Sequence, residues 1–287
     1  MLRLVSRFLA ITVLMLVIGN ANAVVRFKAP EGNDYTALID TFSLSISTIP
    51  DSPRPLVVTL GETELITQLS TSEQTPILAL LINSSTYYDI IESFKLKPHG
   101  PVTAIFSDPD PRLQIQLARA LAPGKSIMIA GTAGVTNDPL KTISEFGGQG
   151  IDLLLYAKGD IKPLIADMDR YDVLIAVPDS NIYNVSTIQS IITSLYRREK
   201  FIIGYSIGMV KAGSLASVIS SKDQMALQLR FAISQYLSTG ALPPPSFPTN
   251  VSVAVNKSVA RSLGIVNTDE VELQKKLTNT THAGGNQ

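Results

Sequence analysis

The chain of 287 residues has no cysteine, no tryptophan and only two histidines. Without cysteine there is no thiolate nucleophile, no disulfide and no lipid attached to an N-terminal cysteine. His99 lies in a turn sequence with no carboxylate beside it, and His282 lies near the C-terminus. A histidine/cysteine metal site cannot be assembled from these residues, and a serine triad has only one plausible histidine and no Gly-x-Ser-x-Gly elbow. We therefore expect no catalytic residue, no metal and no cofactor.

The chain also lacks an excess of either charge, because 24 Lys and Arg residues balance 24 Asp and Glu residues. Nucleic acids and anionic membranes select proteins with clustered positive charge, so neither is expected as a partner. The glycines also fail to form a nucleotide loop. Gly131 and Gly134 follow a predicted strand, but they lack the third glycine of the dinucleotide fingerprint and the Gly-Lys pair of a phosphate loop. They are interpreted as turn residues.

The N-terminal residues have the pattern of an export signal. Arg3 and Arg7 precede an apolar run from Phe8 to Ile18, and Ala21-Asn22-Ala23 supplies small residues for a signal peptidase. The run is shorter than the roughly 20 residues of a membrane span, although an uncleaved anchor stays open as an alternative. The pattern predicts a signal peptide over residues 1–23, cleavage after Ala23 and a periplasmic protein.

Short apolar runs recur along the chain, separated by helical segments. The runs are continuously apolar rather than alternating, which is typical of parallel strands covered by helices on both faces. The predicted strands are Leu56–Leu60, Ile77–Ile82, Val102–Phe106, Ser126–Ala130, Ile151–Tyr156, Asp172–Val177, Phe201–Tyr205 and Val251–Val255. Eight such strands could close into a barrel. Their irregular spacing and two proline-rich breaks, at 108–111 and 242–248, instead favour an α/β fold with two open sheets.

Helix start signals lie between these strands. An N-cap aspartate followed by proline predicts two helices, and a capping box, in which two side chains bond each other's backbone N–H, predicts two more. The signals are Asp110-Pro111, Asp138-Pro139, Ser186 with Gln189, and Ser221 with Gln224, the last opening a helix that ends at Gly240. From Lys275 the chain is rich in Thr, Asn and Gly, so residues 275–287 are predicted to be a disordered tail.

Polar side chains follow several predicted strands. In open α/β sheets ligands bind at the carboxyl ends of the strands, so these residues are candidates for a binding site. The same residue types also cap helices and form turns, which is the alternative interpretation of each one. The candidates are Gly61, Ser84, Ser85, Thr132, Asp179, Asn181, Tyr183, Tyr205 and Ser206.

The last third of the chain resembles a known family. The segments 201–206 and 210–217, the helix opened by Asp223 and the close Val253-Ala254-Val255-Asn256 to Leu263-Gly264-Ile265 are similar to ABC transporter substrate-binding proteins of the tryptophan/tyrosine type. The resemblance covers roughly residues 56–266. It implies a type I periplasmic-binding fold, with two doubly wound Rossmann-like lobes joined by a hinge that closes on a ligand.

The resemblance also implies the bounds of the two lobes and the residues that face the cleft between them. The N-terminal lobe would comprise residues 24–110 and 205–248, and the C-terminal lobe residues 111–204 and 249–274. Matching the motifs places Gly61, Ser84, Asp179, Asn181, Tyr183 and Tyr205 at the cleft. Two departures from the family are a compressed first unit, over Val24–Ile49, and the absence of an Asp-Pro pair after Ile77–Ile82.

Three functions follow from these observations. The first is a monomeric binding protein that delivers a small polar or amino-acid-like solute to an inner-membrane ABC permease. The second is a periplasmic sensor or accessory protein on the same fold, which binds a receptor or other protein partner and has lost the transport ligand; the two departures motivate it. The third, a hydrolase using Asp179 with Ser180, lacks a legible base and orienting residue. The sequence favours a binding protein, not an enzyme.

Overall fold

The computed structural model describes residues 16–18, 25–49, 53–97, 99–132 and 150–283. Two parallel sheets with intervening helices account for these residues, which confirms the predicted α/β class. Seven of the eight predicted strands occur with the predicted bounds or within one residue of them, and the eighth, predicted to end at Ala130, runs on to Thr132. The predicted helix start at Asp138-Pro139 lies outside the described residues, as does most of the predicted signal peptide.

The first sheet has the strand order β1-β2-β3-β4-β5. β2 and β3 are parallel, as are β3 and β4, whereas β1 pairs with β2 in the antiparallel sense. The strands are β1 (Leu16–Ile18), β2 (Val25–Lys28), β3 (Leu56–Leu60), β4 (Ile77–Ile82) and β5 (Val102–Phe106). The helices that lie between these strands in the sequence are α1 (Asn33–Ile46), α2 (Glu62–Leu69) and α3 (Ser84–Phe94). Every residue of β3 is buried, as the continuous apolar run predicts.

The second sheet has the strand order β11-β10-β9-β8-β6-β7 and is parallel except for the β10–β11 pair. Its strands are β6 (Ile127–Thr132), β7 (Ile151–Tyr156), β8 (Val173–Ala176), β9 (Phe201–Gly204), β10 (Ala216–Ile219) and β11 (Ser252–Val255). The helices that follow β5 along the chain are α4 (Pro111–Leu121), α5 (Lys162–Asp167), α6 (Ile188–Tyr196), α7 (Ile207–Ala212), α8 (Lys222–Thr239), α9 (Lys257–Ser262) and α10 (Glu270–Ala283). A 3-10 turn, Met168–Arg170, leads from α5 into β8.

The chain divides into two compact units. The first comprises Met1–Ile82, Phe94–Ile105 and Ala226–Pro245, and the second Asn83–Ser93, Phe106–Met225 and Ser246–Gln287. The second unit takes in four segments that were expected in the N-terminal lobe, which are residues 83–93, 106–110, 205–225 and 246–248. The longest of these is 205–225. The physical reason is β10, which the sequence analysis missed: it pairs with β9 and β11 and so joins this segment to the second sheet.

The predicted disordered tail is wrong for residues 275–283, which belong to α10. Leu273 and Leu277 of this helix are 0% and 1% exposed, within the core of the second unit. The Asp269 side chain accepts hydrogen bonds from the N–H groups of Val271 and Glu272, at 2.9 and 3.0 Å, and so caps the helix. A polar composition therefore does not prevent order where two leucines are buried. Across the described residues no helix is both long and apolar enough to cross a bilayer.

Candidate functional site

The strand order of the second sheet reverses next to β6. The chain runs from β6 outward to β7 and then returns to the other side of β6 to form β8. In doubly wound sheets the crevice at such a reversal, at the carboxyl ends of the strands, is where ligands bind. The described strands of the first sheet follow one another in sequence order and show no such reversal. The segments that follow β6 and β8 are therefore the expected position of a binding site.

The carboxylate of Asp179 connects these two segments. One oxygen accepts a 2.6 Å hydrogen bond from the backbone N–H of Thr132, the last residue of β6, and the other accepts a 3.0 Å bond from the N–H of Asn181. The Asp179 carbonyl accepts bonds from the N–H groups of Ile182 and Tyr183 at 3.1 and 2.8 Å. Asp179 is only 5% exposed. Its side chain thereby fixes the turn that follows β8.

A small polar cavity lies beside this turn, within the second unit. Its volume is ≈ 100 Å³, room for several waters or a solute of a few heavy atoms. The residues that line it are Asn83, Ser85, Thr86, Asp89, Pro178, Asp179, Ser180, Asn181 and Tyr205. Hydroxyls, amides and two carboxylates in one concavity resemble the lining of a small-molecule site.

The start of α3 forms one wall of the cavity. The Asn83 side chain accepts a 2.8 Å hydrogen bond from the N–H of Thr86 and so acts as the N-cap. The next residue, Ser84, donates from both its N–H and its hydroxyl to Asp108, each at 2.7 Å. These bonds hold the first turn of α3, and with it the side chains of Ser85 and Thr86, in place.

Burial and negative charge determine the ionisation of this region. Burial raises the pKa of Asp108 to about 6, although the hydrogen bonds from Ser84 oppose the change. Desolvation and the charge of Asp179 raise the pKa of the Asp89 carboxyl. The Tyr205 hydroxyl has a raised pKa for the same reasons, burial first and then the charges of Asp108 and Asp179. Negative charge is thus concentrated around the cavity.

Four of the nine predicted site residues line the cavity: Ser85, Asp179, Asn181 and Tyr205. Three others are buried residues that position its walls. Ser84 binds Asp108, Thr132 donates its N–H to Asp179, and Tyr183 donates its hydroxyl to the carbonyl of Ala130 at 3.2 Å. The Tyr183 ring also packs edge-on against Tyr205, with centroids 6.5 Å apart. That any of these residues contacts a ligand stays a prediction.

The remaining two candidates have local roles. Ser206 is the N-cap of α7, where its hydroxyl accepts a 3.3 Å hydrogen bond from the N–H of Met209. Gly61 lies in the first unit, at the start of α2, with a φ of 92°. Glycine adopts this left-handed conformation without the steric cost that a side chain adds. Neither residue is part of the cavity lining.

Five lining residues are not among the candidates predicted from the sequence. Asn83 and Ser180 lie in the polar segments after β4 and β8 from which candidates were drawn, whereas Thr86, Asp89 and Pro178 were missed. The signal for Asp89 was its spacing, since residues four apart share one face of a helix and Asp89 follows Ser85 by four. Pro178 has an apolar side chain, so its residue type gave no signal of a binding site. It lies at the cavity because it follows the end of β8.

Comparisons with known proteins bear on this fold. No family model matches the chain, and no curated protein matches it. The solved structures do contain similar folds. An ABC domain in complex with L-Trp from Streptococcus pneumonia has a TM-score of 0.53 and 21% identity, over 83% of this chain and 84% of that chain. A conserved domain protein from Vibrio cholerae has a TM-score of 0.54 and 18% identity, over 83% and 82%.

A third similar structure is the ligand-free, open form of a substrate-binding protein with adhesive properties from Clostridium difficile. Its TM-score is 0.56 and its identity 15%, over 81% of this chain and 82% of that chain. At these identities the likeness concerns the fold alone. It confirms the predicted type I periplasmic-binding fold of ABC transporter substrate-binding proteins, whereas the tryptophan/tyrosine specificity stays a prediction.

Proposed function

We propose that this chain is an exported substrate-binding protein that binds a small polar solute and presents it to an ABC permease. The fold is that of solute-binding proteins, and the motifs over 201–265 resemble those of the tryptophan/tyrosine type. The N-terminal pattern supports export, cleavage after Ala23 and a periplasmic location. The balance of 24 Lys and Arg residues against 24 Asp and Glu residues favours a small molecule over nucleic acid as the ligand.

The observation that carries the proposal is the polar cavity at the reversal of the second sheet. Its lining offers hydroxyl groups, amides and carboxylates held by the backbone, as Asp179 is by Thr132 and Asn181. Groups held in place before binding lose little freedom when a ligand arrives, so they favour affinity and specificity. Clamping of the solute by hinge closure, delivery to a permease and a monomeric state belong to the same proposal.

Thermal unfolding of the purified chain against a metabolite panel tests this function. A ligand that binds only the folded state adds about 2.7 kcal/mol at 100 times its Kd, so a true solute raises the melting temperature. Asn181→Ala, in the lining, should weaken the shift while leaving the apparent stability close to that of the wild type. Asn250→Ala, an exposed residue outside the cavity, is the matched control and should leave the shift unchanged.

Mass spectrometry of small molecules that copurify with the chain provides an independent identification. The same mass should disappear from preparations of the Asn181→Ala variant and persist in those of Asn250→Ala. If no solute raises the melting temperature and none copurifies, solute uptake is contradicted. Such a result would favour the sensor or accessory protein, which capture of a specific protein partner by the chain would then demonstrate.

A further inference from the structure

The described lining of the cavity is acidic and holds no opposing charge. Asp89 and Asp179 both face it, and none of its nine described lining residues is lysine, arginine or histidine. Asp179 is 5% exposed, and each of its oxygens accepts a single backbone hydrogen bond. A carboxylate has about four acceptor positions, so Asp179 retains capacity for a further donor.

The two carboxylates also repel each other. The negative charge of Asp179 contributes, after desolvation, to the raised pKa of Asp89. No described residue forms an ion pair with either side chain or donates a hydrogen bond to the carboxylate of Asp89. A cation placed in the cavity would relieve this repulsion and would gain from both charges. None of the described lining residues supplies one.

Four backbone N–H groups that could bind an anion at the start of α3 and across the cavity from it are already bonded. A helix N-terminus ordinarily attracts a carboxylate through its unpaired N–H groups. At the start of α3, however, the N–H of Ser84 is bonded to Asp108 and that of Thr86 to the side chain of Asn83. Across the cavity, the N–H groups of Thr132 and Asn181 are bonded to Asp179. The carboxylate of Asp108 thus occupies the position that a ligand carboxylate would take.

An aromatic residue completes this environment. Tyr205 is part of the lining and is held by its edge-on contact with Tyr183. Aromatic rings attract organic cations through their quadrupole, and they provide apolar contact for the carbon skeleton of a ligand. The hydroxyl and amide groups of Ser85, Thr86 and Asn181 add polar contacts that suit a hydroxyl or a second N–H of the same ligand.

We propose that the cavity selects an organic ammonium compound without a carboxylate, a small amine or amino alcohol rather than an amino acid. The proposal rests on the proposed function, since it assumes that a solute binds here. The ammonium group would lie between Asp89 and Asp179 and donate to both. An amino acid would bring a second charge for which the described walls hold no cation.

Calorimetric titration with matched probes tests the charge class. Three sets of probes have carbon chains of two, four or six carbons. Within each set every compound carries a hydroxyl at one end, and the other end carries an ammonium, a hydroxyl or a carboxylate group. The matching ω-hydroxy α-amino acids test the zwitterion. The ammonium members should bind at least about tenfold more tightly than the diols, as expected for a charge-assisted hydrogen bond, and the carboxylates should not saturate the site.

Two variants assign the effect to the cavity. Asp89→Asn keeps the shape of an exposed side chain, so the fold should persist, and it should reduce ammonium affinity about tenfold while leaving diol affinity within about twofold. Glu92→Gln removes the same charge from α3 at a residue outside the lining and should change neither affinity. Melting temperatures of both variants verify that they fold.

The outcomes separate the two proposals. Saturable binding of the diols, carboxylates or amino acids without preference for the amines overturns the charge class but leaves solute binding in place. An equal loss of ammonium affinity in Glu92→Gln overturns the assignment to Asp89 and Asp179. Binding of Ca²⁺ or Mg²⁺ alone, with no binding of amines, also overturns it. If no probe and no copurifying solute binds, both proposals fail.

Discussion

Ser84 donates two hydrogen bonds of 2.7 Å to Asp108, one from its backbone and one from its hydroxyl. The two residues are 24 positions apart in the sequence, and both are buried. The pair ties the first turn of α3 to the segment that follows β5. Asp108 is buried and forms no ion pair with any described residue, so its charged form is costly. This gives the protein a specific dependence on pH.

Stability should fall as pH rises through the range in which Asp108 ionises. Its pKa is raised from 3.8 to about 6 in the folded protein, so the native state holds the proton more tightly than the unfolded chain. The stabilisation from this group is fully present below 3.8 and is lost as pH rises toward and past about 6. Asp108→Asn, which stays neutral, should flatten the profile and gain up to about 3 kcal/mol near neutral pH.

Urea unfolding from pH 4 to pH 8 measures this difference. The Asp169→Asn variant, which changes an exposed carboxylate paired with Arg198, is the control and should keep the slope of the wild type. Identical slopes for Asp108→Asn and the wild type would contradict the assignment to Asp108.

Asp179→Ala should destabilise the second unit. The substitution leaves the buried N–H of Thr132 without its acceptor and removes the support of Asn181, at a cost of about 2 kcal/mol in the free energy of unfolding. Chemical denaturation measures the loss. An exposed-surface change, Asp169→Asn, should cost less than about 1 kcal/mol. A loss for Asp179→Ala no greater than for the control would show that the turn after β8 does not depend on this side chain.

The two neighbouring tyrosines should separate stability from binding. Tyr183→Phe removes a buried hydrogen bond to the Ala130 carbonyl and should cost about 1 kcal/mol of stability without changing ligand affinity. Tyr205→Ala removes a cavity wall and should weaken binding at least about tenfold. Calorimetry of the ligand with both variants, alongside their melting curves, tests the difference. Equal affinity losses would show that Tyr183 contacts the ligand.

The C-terminal helix should contribute to folding. Leu273 is 0% exposed, and Leu273→Ala should cost about 2–5 kcal/mol, as large-to-small core substitutions do. Val271 lies on the same helix and is 62% exposed, so Val271→Ala is the matched control and should have little effect. Melting temperature and urea midpoint give the comparison. Similar values for both variants would restore the interpretation of this segment as a tail that does not pack.

Helix signals show how far local sequence suffices. The capping box of Ser221 and Gln224 is confirmed, with reciprocal bonds of 2.8 and 3.2 Å at the start of α8. The box predicted for Ser186 and Gln189 is wrong. Ser186 donates its hydroxyl to Asn184 instead, and α6 begins at Ile188 without a side-chain cap. The local motif was the same, but a neighbouring asparagine competed for the serine.

The sequence by itself determined the α/β class, most strands and the helix starts at Pro111 and Lys222, because continuous apolar runs and caps act over a few residues. It also determined what is lacking, above all cysteine. Only the tertiary structure decided that β10 belongs to the second sheet, that Asp89 and Asp179 face one cavity, and that Asp108 occupies the helix terminus. These relationships join residues far apart in the chain, and the strand order and burial that bring them together are properties of the packed sheet.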